Sequence, residues 1–131
     1  MFTNITSEAP YSRAFSRMAS QHRAAVPMIG TALADDPRLH LAALTYASDY
    51  TLLEPILRQH GVAWVQPGMS VASLDHAMWF LRPFRTDDWL LYDQTSPSAI
   101  GGRGLTQGRI FDRAGNVVAA VVQEGLIRTQ R

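Results

Sequence analysis

Cysteine is absent from this chain of 131 residues, and its absence excludes several kinds of chemistry. Without cysteine the protein cannot form disulfides, use a thiol nucleophile or bind a metal through thiolates. Histidines stand singly at positions 22, 40, 60 and 76, with no carboxylates at a ligand spacing. We therefore expect no metal site and no cofactor.

The chain also lacks a long apolar run and a block of like charges. No stretch approaches the roughly 18 apolar residues of a membrane-spanning helix. Twelve basic residues stand against eleven acidic ones, and the net charge of +1 suits neither nucleic acid nor an anionic membrane. The first residues show no positive segment followed by an apolar run, so we expect no signal peptide. These absences favour a cytoplasmic protein without nucleic acid or membrane partners.

The chain does contain enough apolar sequence for one ordinary domain. Apolar residues make up 47% of it and charged residues 18%, a balance typical of a protein with a core. Residues 1–12 are polar and contain Pro10, and we interpret them as a flexible N-terminal tail. Residues 13–131 are predicted to form a single domain that begins with a weak strand within 13–26.

The segment Asp35-Asp36-Pro37 predicts the start of the main helix. The Asp36 side chain can cap free backbone N–H groups, and Pro37 suits the first helical position. Apolar and small residues then recur at helical spacing. They define the predicted buried face: Leu39, Ala42, Ala43, Tyr46 and Ala47. A second, shorter helical stretch is predicted within 50–60, with Gly61 as its end.

After Gly61 the pattern changes from helical to strand-like. Four strands joined by short loops are predicted: residues 69–82, 89–94, 104–111 and 117–128. Residues 112–116 have the composition of a hairpin loop. Short connections favour antiparallel neighbours. The sequence therefore predicts an α+β domain, in which a curved antiparallel sheet is wrapped around one long helix.

Residues 117–122 are apolar on both faces of the last predicted strand. A single helix can cover only one face of the sheet, so the other face needs a second cover. We expect that cover to be a partner subunit, and hence an oligomer.

Three polar residues stand in positions that suggest chemistry. Ser73 and Gln123 each interrupt a predicted apolar strand, and a buried polar group without a partner costs about 1–3 kcal/mol. Asp49 lies near the end of the predicted helix. It is either a general base or a solvated residue at the helix end. Strand alternation puts Asp75 on the same face as Ser73, so Asp75 competes with Asp49 as the base. Alternation also turns His76 the opposite way, which argues against a triad of neighbours.

Residues 35–128 resemble the acyl-CoA thioesterase II family. The resemblance is carried, in order, by Asp36-Pro37, Tyr46-Ala47-Ser48-Asp49, Pro67-Gly68, Ser73-Leu74-Asp75-His76, Met78-Trp79-Phe80, Arg82-Pro83-Phe84, Trp89-Leu90-Leu91-Tyr92 and Gln123-Glu124-Gly125. It implies a hot-dog fold. It also implies hydrolysis of acyl-CoA to a free fatty acid and CoA by an activated water, as a part of fatty acid metabolism.

The resemblance also implies which residues act. In that family an Asp, a Ser or Thr, and a Gln surround the attacking water, and these roles fall on Asp49, Ser73 and Gln123. Asp49 is then the base rather than Asp75. The chain departs from the family at Leu81, where the family usually has His.

The family's enzymes are double hot dogs, and this chain resembles their C-terminal half. The resemblance therefore implies a partner domain, supplied by a homodimer, a higher oligomer or a separate N-terminal-type hot-dog chain. The alternative function is that of a non-catalytic hot-dog subunit, which binds acyl-CoA or pairs with a separate chain.

Overall fold

The computed structural model describes residues 22–27 and 30–129, and the tail predicted at 1–12 lies outside them. Two helices follow the first strand: α1 (Pro37–Asp49) and α2 (Glu54–Gln59). The strands are β1 (His22–Pro27), β2 (Met69–Ser73), β3 (Ala77–Phe80), β4 (Trp89–Ile100), β5 (Arg103–Phe111) and β6 (Val117–Thr129). The predicted α+β class is confirmed.

All the strands belong to one antiparallel sheet in the order β1-β4-β5-β6-β2, and β3 also pairs with β6. The predicted single strand over 69–82 is wrong, because residues 74–76 leave the ladder between β2 and β3. At this break the Asp75 carboxylate accepts the backbone N–H of Glu124 at 2.7 Å. A side chain thus takes the place of a strand carbonyl, and the long β6 carries two short partners along one side.

The start of α1 is confirmed at the predicted residues. The Asp36 carboxylate accepts the backbone N–H of Arg38 at 2.9 Å, and Pro37 occupies the first turn. This satisfies one of the backbone donors that a helix leaves free at its N-terminus.

The predicted buried face of α1 is wrong. The buried residues are His40, Leu44 and Ser48, whereas Tyr46 is 70% exposed. The polar members of this face bond to other elements, although His40 Nε2 is buried without a partner in the described part of the chain. His40, for example, accepts the Thr86 N–H through Nδ1 at 3.1 Å and the Thr86 hydroxyl through its carbonyl at 2.7 Å. A prediction from hydrophobic periodicity misses such residues, because it does not count hydrogen-bonded polar side chains as buried.

The core lies between α1 and the middle of the sheet. It is formed by one cluster of buried residues: Leu44, Leu52, Leu90, Tyr92, Ile110, Val118, Ala119 and Val121. Each fully buried aliphatic or aromatic side chain stabilises the fold by about 1.5–3 kcal/mol. This packing fixes α1 across β4, β5 and β6.

The short helix α2 and Leu53, the residue before it, lie directly against the backbone of two strands. Gly104 of β5 and Gly125 of β6 are paired across the ladder. A Cβ atom on Gly104 would lie 2.6 Å from Ile56 Cδ1, and one on Gly125 would lie 2.6 Å from Leu53 Cδ2. The two glycines have no side chains, and Leu53 and Ile56 pack into the space that this leaves.

A bulge and a hairpin loop shape the long strands. The register of β4 against β5 shifts between Thr95 and Ser98, so the strand predicted at 89–94 continues past a bulge to Ile100. The predicted hairpin loop at 112–116 is confirmed, since the Asp112 carboxylate accepts the Asn116 N–H at 2.9 Å.

Several large apolar side chains remain on the surface. All three tryptophans lie in the described part of the chain, with Trp64 46%, Trp79 53% and Trp89 37% exposed. Trp79 belongs to β3, which among the described strands pairs with β6 alone, so its other edge is open. Phe80 and Leu81 continue this exposed apolar edge. Within residues 22–27 and 30–129 no helix is long and apolar enough to cross a membrane.

Candidate active site

The three residues predicted to act together meet where α1 ends over the sheet. Asp49 is the last residue of α1, Ser73 is the last residue of β2, and Gln123 lies within β6. The Gln123 amide nitrogen Nε2 donates to Asp49 Oδ1 at 2.6 Å and to Ser73 Oγ at 2.6 Å. These partners are 74 and 50 residues away along the chain, so only the fold brings them together.

The chemistry of the partners fixes how Gln123 is oriented. An ionised carboxylate only accepts hydrogen bonds, so the amide NH₂ rather than the carbonyl must face Asp49. Both amide N–H groups are then used, one on each partner. Since Ser73 Oγ accepts, its own proton is available to donate, and the Asp49 carboxylate has further lone pairs. A water between them can receive a hydrogen bond from Ser73 and give one to Asp49.

The cluster is buried on one side and open on the other. Gln123 is fully buried, whereas Asp49 and Ser73 are exposed. The interpretation of Ser73 as a buried strand residue is therefore wrong, because β2 lies at the edge of the sheet. A cleft of about 290 Å³ adjoins the cluster. Its lining is Asp49, Tyr50, Leu53, Trp64, Val71, Ala72 and Ser73.

The Gln123 carbonyl is a costly feature of this cluster. Its oxygen Oε1 is buried and has no hydrogen-bond partner within the described part of the chain. Such a group costs about 1–3 kcal/mol, and an apolar side chain would avoid that cost. A buried polar group retained against stability is a feature of functional sites.

The rival base, Asp75, is held away from this cluster. Its carboxylate accepts the backbone N–H of Glu124, and β2 has already ended at Ser73. The alternation that put Ser73 and Asp75 on one face therefore does not continue to Asp75. His76 Nε2 lies 3.1 Å from Ser48 Oγ, so His76 connects the segment after Ser73 to the end of α1.

Two further contacts near Asp49 were missed from the sequence. The Tyr92 hydroxyl donates to the Ser48 carbonyl at 2.9 Å, and Gln94 Nε2 donates to Thr51 Oγ1 at 2.7 Å. Burial raises the pKa of the Tyr92 hydroxyl, and the charge of Asp49 raises it further, so Tyr92 stays a protonated donor. Gln94 carried a usable signal, because alternation puts it on the same strand face as Leu90 and Tyr92.

Leu81, where the resemblance departs, lies outside the cleft beside Asp49. It lines a separate cleft of about 740 Å³ together with Phe80, Pro83 and Phe84. Within the described residues no group of three or more His, Asp or Glu could hold a metal ion.

An antiparallel sheet packed on one helix, with a carboxylate, a hydroxyl and an amide meeting at the helix end, defines a hot-dog domain with a candidate hydrolytic site. A hot-dog-like protein from Thermanaerovibrio acidaminovorans superposes with a TM-score of 0.59 over 84% of this chain and 82% of its own. Its identity is 17%, so this likeness bears on the fold alone. The hot-dog prediction is confirmed.

The family follows from the sequence comparisons. The family model for acyl-CoA thioesterases matches residues 6–126, and the chain belongs to that family. Acyl-CoA thioesterase 2 of Haemophilus influenzae is 43% identical over 93 residues, which are 71% of this chain and 32% of that protein. Acyl-CoA thioesterase II TesB2 of Mycobacterium marinum has 53% identity and a TM-score of 0.76, over 84% of this chain and 42% of its own. The chain spans about a third of the length of the curated relatives it matches.

Proposed function

We propose that this domain hydrolyses acyl-CoA thioesters to a free fatty acid and CoA with a water activated by Asp49. The observation that carries the proposal is the bonding of one buried amide, Gln123, to both Asp49 and Ser73. Relatives that bear the name acyl-CoA thioesterase support the choice of substrate.

The reaction needs only a water and a proton acceptor. The water oxygen bonds to the thioester carbonyl carbon while Asp49 accepts one of its protons. The carbon–sulfur bond then breaks, and that proton passes to the sulfur, which leaves a carboxylic acid and the CoA thiol. Ser73 and Gln123 fix the positions of the water and of Asp49. A well-placed general base contributes roughly 10²–10⁴ in rate.

We further propose that the working form contains a second hot-dog domain. Asp49 and Ser73 are exposed, and the apolar residues Trp79, Phe80 and Leu81 lie on the open side of the sheet. Exposed apolar edges of this kind mark interaction surfaces. The partner is a second copy of this chain, in a homodimer or higher oligomer, or a separate N-terminal-type hot-dog chain.

Replacing Asp49 tests the assignment of the base. Asp49→Asn keeps the shape of the side chain, and we expect it to lower thioester hydrolysis by roughly 10²–10⁴-fold. Ser73→Ala and Gln123→Ala should each cost less, and the losses should not add, because the three residues act on one water. The measurement is release of free thiol from a panel of acyl-CoAs, with the mass of the assembly determined in the same buffer.

The matched control is Asp75→Asn. Asp75 is a carboxylate two residues from Ser73, but it bonds to the backbone of Glu124. We expect its replacement to leave turnover intact in the folded protein. If Asp75→Asn abolishes hydrolysis while Asp49→Asn does not, the assignment of Asp49 is wrong.

The open site also favours a second candidate function. In the described chain Asp49 and Ser73 face solvent. A water bound at an exposed site exchanges with bulk water and is poorly held for attack on a substrate. A non-catalytic subunit that binds acyl-CoA or pairs with a separate hot-dog chain fits that openness. Tight acyl-CoA binding without thiol release, in an assembly of known mass, would favour this function over hydrolysis. A cytoplasmic location and a place in fatty acid metabolism stay predictions.

A further inference from the structure

Two donors on the sheet bond to residues on either side of Asp49. The Tyr92 hydroxyl bonds to the Ser48 carbonyl at 2.9 Å, before Asp49 in the chain. Gln94 Nε2 bonds to Thr51 Oγ1 at 2.7 Å, after it. Tyr92 and Gln94 are two residues apart in β4, so they share one face of the sheet. The chain on both sides of Asp49 is therefore tied to a single strand.

Burial protects the hydrogen bonds of Tyr92 and Gln94, and packing fixes the Tyr92 ring. Tyr92 and Gln94 are almost completely buried, so water does not compete readily for their hydrogen bonds. A Cβ atom on Gly108, which lies opposite Gln94 in β5, would collide with the Tyr92 ring. The ring thus occupies the space that Gly108 leaves, and the direction of its hydroxyl is fixed.

Stability alone does not account for Gln94. Its oxygen Oε1 is buried without a hydrogen-bond partner in the described part of the chain, as is that of Gln123. An apolar side chain at this position would avoid the cost of about 1–3 kcal/mol. The Gln94 side chain makes one hydrogen bond, which goes to Thr51 in the turn that follows Asp49.

We propose that Tyr92 and Gln94 are positioning residues that hold the turn from Ser48 to Thr51, so that Asp49 stays within hydrogen-bond reach of Gln123. The proposal rests on the proposed function in one respect, the role of Asp49 as base. Asp49 is the last residue of α1, and helix ends have free carbonyls and fray unless they are tied. A misplacement of about 1 Å at a reacting group can cost up to about 10²-fold in rate.

Kinetics of small substitutions test the proposal. Tyr92→Phe removes only the hydroxyl, and Thr51→Val removes the Thr51 hydroxyl at constant shape. Each should lower kcat by roughly 10–100-fold and leave KM for acyl-CoA nearly unchanged. Thr51→Ser keeps the hydroxyl and should restore kcat. The control is Thr45→Val, which removes an exposed hydroxyl that bonds to the Leu41 carbonyl within the same helix and should have no effect.

A double substitution separates positioning from a general loss of structure. If Tyr92 acts through Asp49, Tyr92→Phe should cost nothing further in the Asp49→Asn protein. An equal loss of kcat in both backgrounds, or an unchanged kcat in the single variant, overturns the proposal.

A second readout does not depend on turnover. The side-chain amide of Gln123 is bonded to Asp49, so its NMR resonance reports the distance between them. Tyr92→Phe and Thr51→Val should each shift this resonance, and Thr45→Val should not. A protein that releases no thiol would refute the proposed hydrolysis but would leave this measurement intact. A Gln123 resonance that moves in neither variant refutes the positioning role.

Discussion

Replacing Gly125 with alanine tests how closely α2 must lie on the sheet. The added Cβ atom would stand 2.6 Å from Leu53 Cδ2 and 2.9 Å from Leu53 Cδ1, whereas carbon atoms pack at about 3.5–4.0 Å. Leu53 is only 3% exposed and cannot turn into solvent. We therefore expect α2 to move away from β6 by about 1 Å, the shortfall in carbon–carbon distance.

The size of the effect follows from two opposing contributions. Overpacking of this kind costs about 1–3 kcal/mol, while alanine in a strand recovers about 0.5–1 kcal/mol relative to glycine. The net loss in the free energy of unfolding is about 0.5–2 kcal/mol. With a urea dependence of about 2 kcal/mol per molar, the unfolding midpoint should fall by about 0.3–1 M.

Urea unfolding followed by circular dichroism measures this shift. Gly30→Ala is the matched control, since among the described residues no atom beyond its chain neighbours lies within 4 Å of its added Cβ, and its midpoint should not fall. Leu53→Ala removes the colliding atoms, so Gly125→Ala should cost less in that background. An unchanged midpoint for Gly125→Ala, or an equal cost with and without Leu53, would refute this account of the packing.

Three other predictions concern acid stability, assembly and metals. Hydrogen bonds from Arg85 and from the backbone of Leu33 hold the pKa of Asp87 at about 2. A carboxylate with a lowered pKa stabilises the fold above its unfolded value of about 3.9, and this contribution is lost as the pH falls through 2. Asp87→Asn should therefore flatten the acid unfolding curve between those values, and a curve parallel to the wild type contradicts this. Light scattering at micromolar concentration should give at least a dimer, which a stable monomer with cooperative thermal unfolding would exclude. Hydrolysis should survive EDTA, and a loss that zinc or magnesium restores would point to a metal enzyme.

The sequence predicts an element correctly where the interaction that defines it joins residues close together in the chain. The cap at Asp36 and the loop at 112–116 depend on neighbours in the chain, and both are found where the pattern places them. The break at 74–76 depends instead on a bond from Asp75 to Glu124, 49 residues away. No local pattern contains that partner, so the two short strands were read as one.

The candidate site shows the same division. Gln123 stands out as a polar residue in an apolar strand, whereas Gln94 was missed. Their partners come from α1, the turn after it and β2. Ser48 stands on the buried face of the helix because Tyr92 and His76 reach it from other elements. The residues alone left Asp49 and Asp75 open as bases. The resemblance implies Asp49, and its role as base stays a prediction.

The surface position of the tryptophans gives the protein an internal optical reporter. Indole emission responds to contact with water, and in most domains it follows unfolding because the indole is buried. Here Trp64 lines the cleft beside Asp49, and Trp79 lies on the open strand β3. The emission spectrum should consequently respond to events at the surface. A ligand that enters the cleft will be sensed by Trp64 and a partner that covers the edge by Trp79, so single Trp→Phe variants can assign each signal.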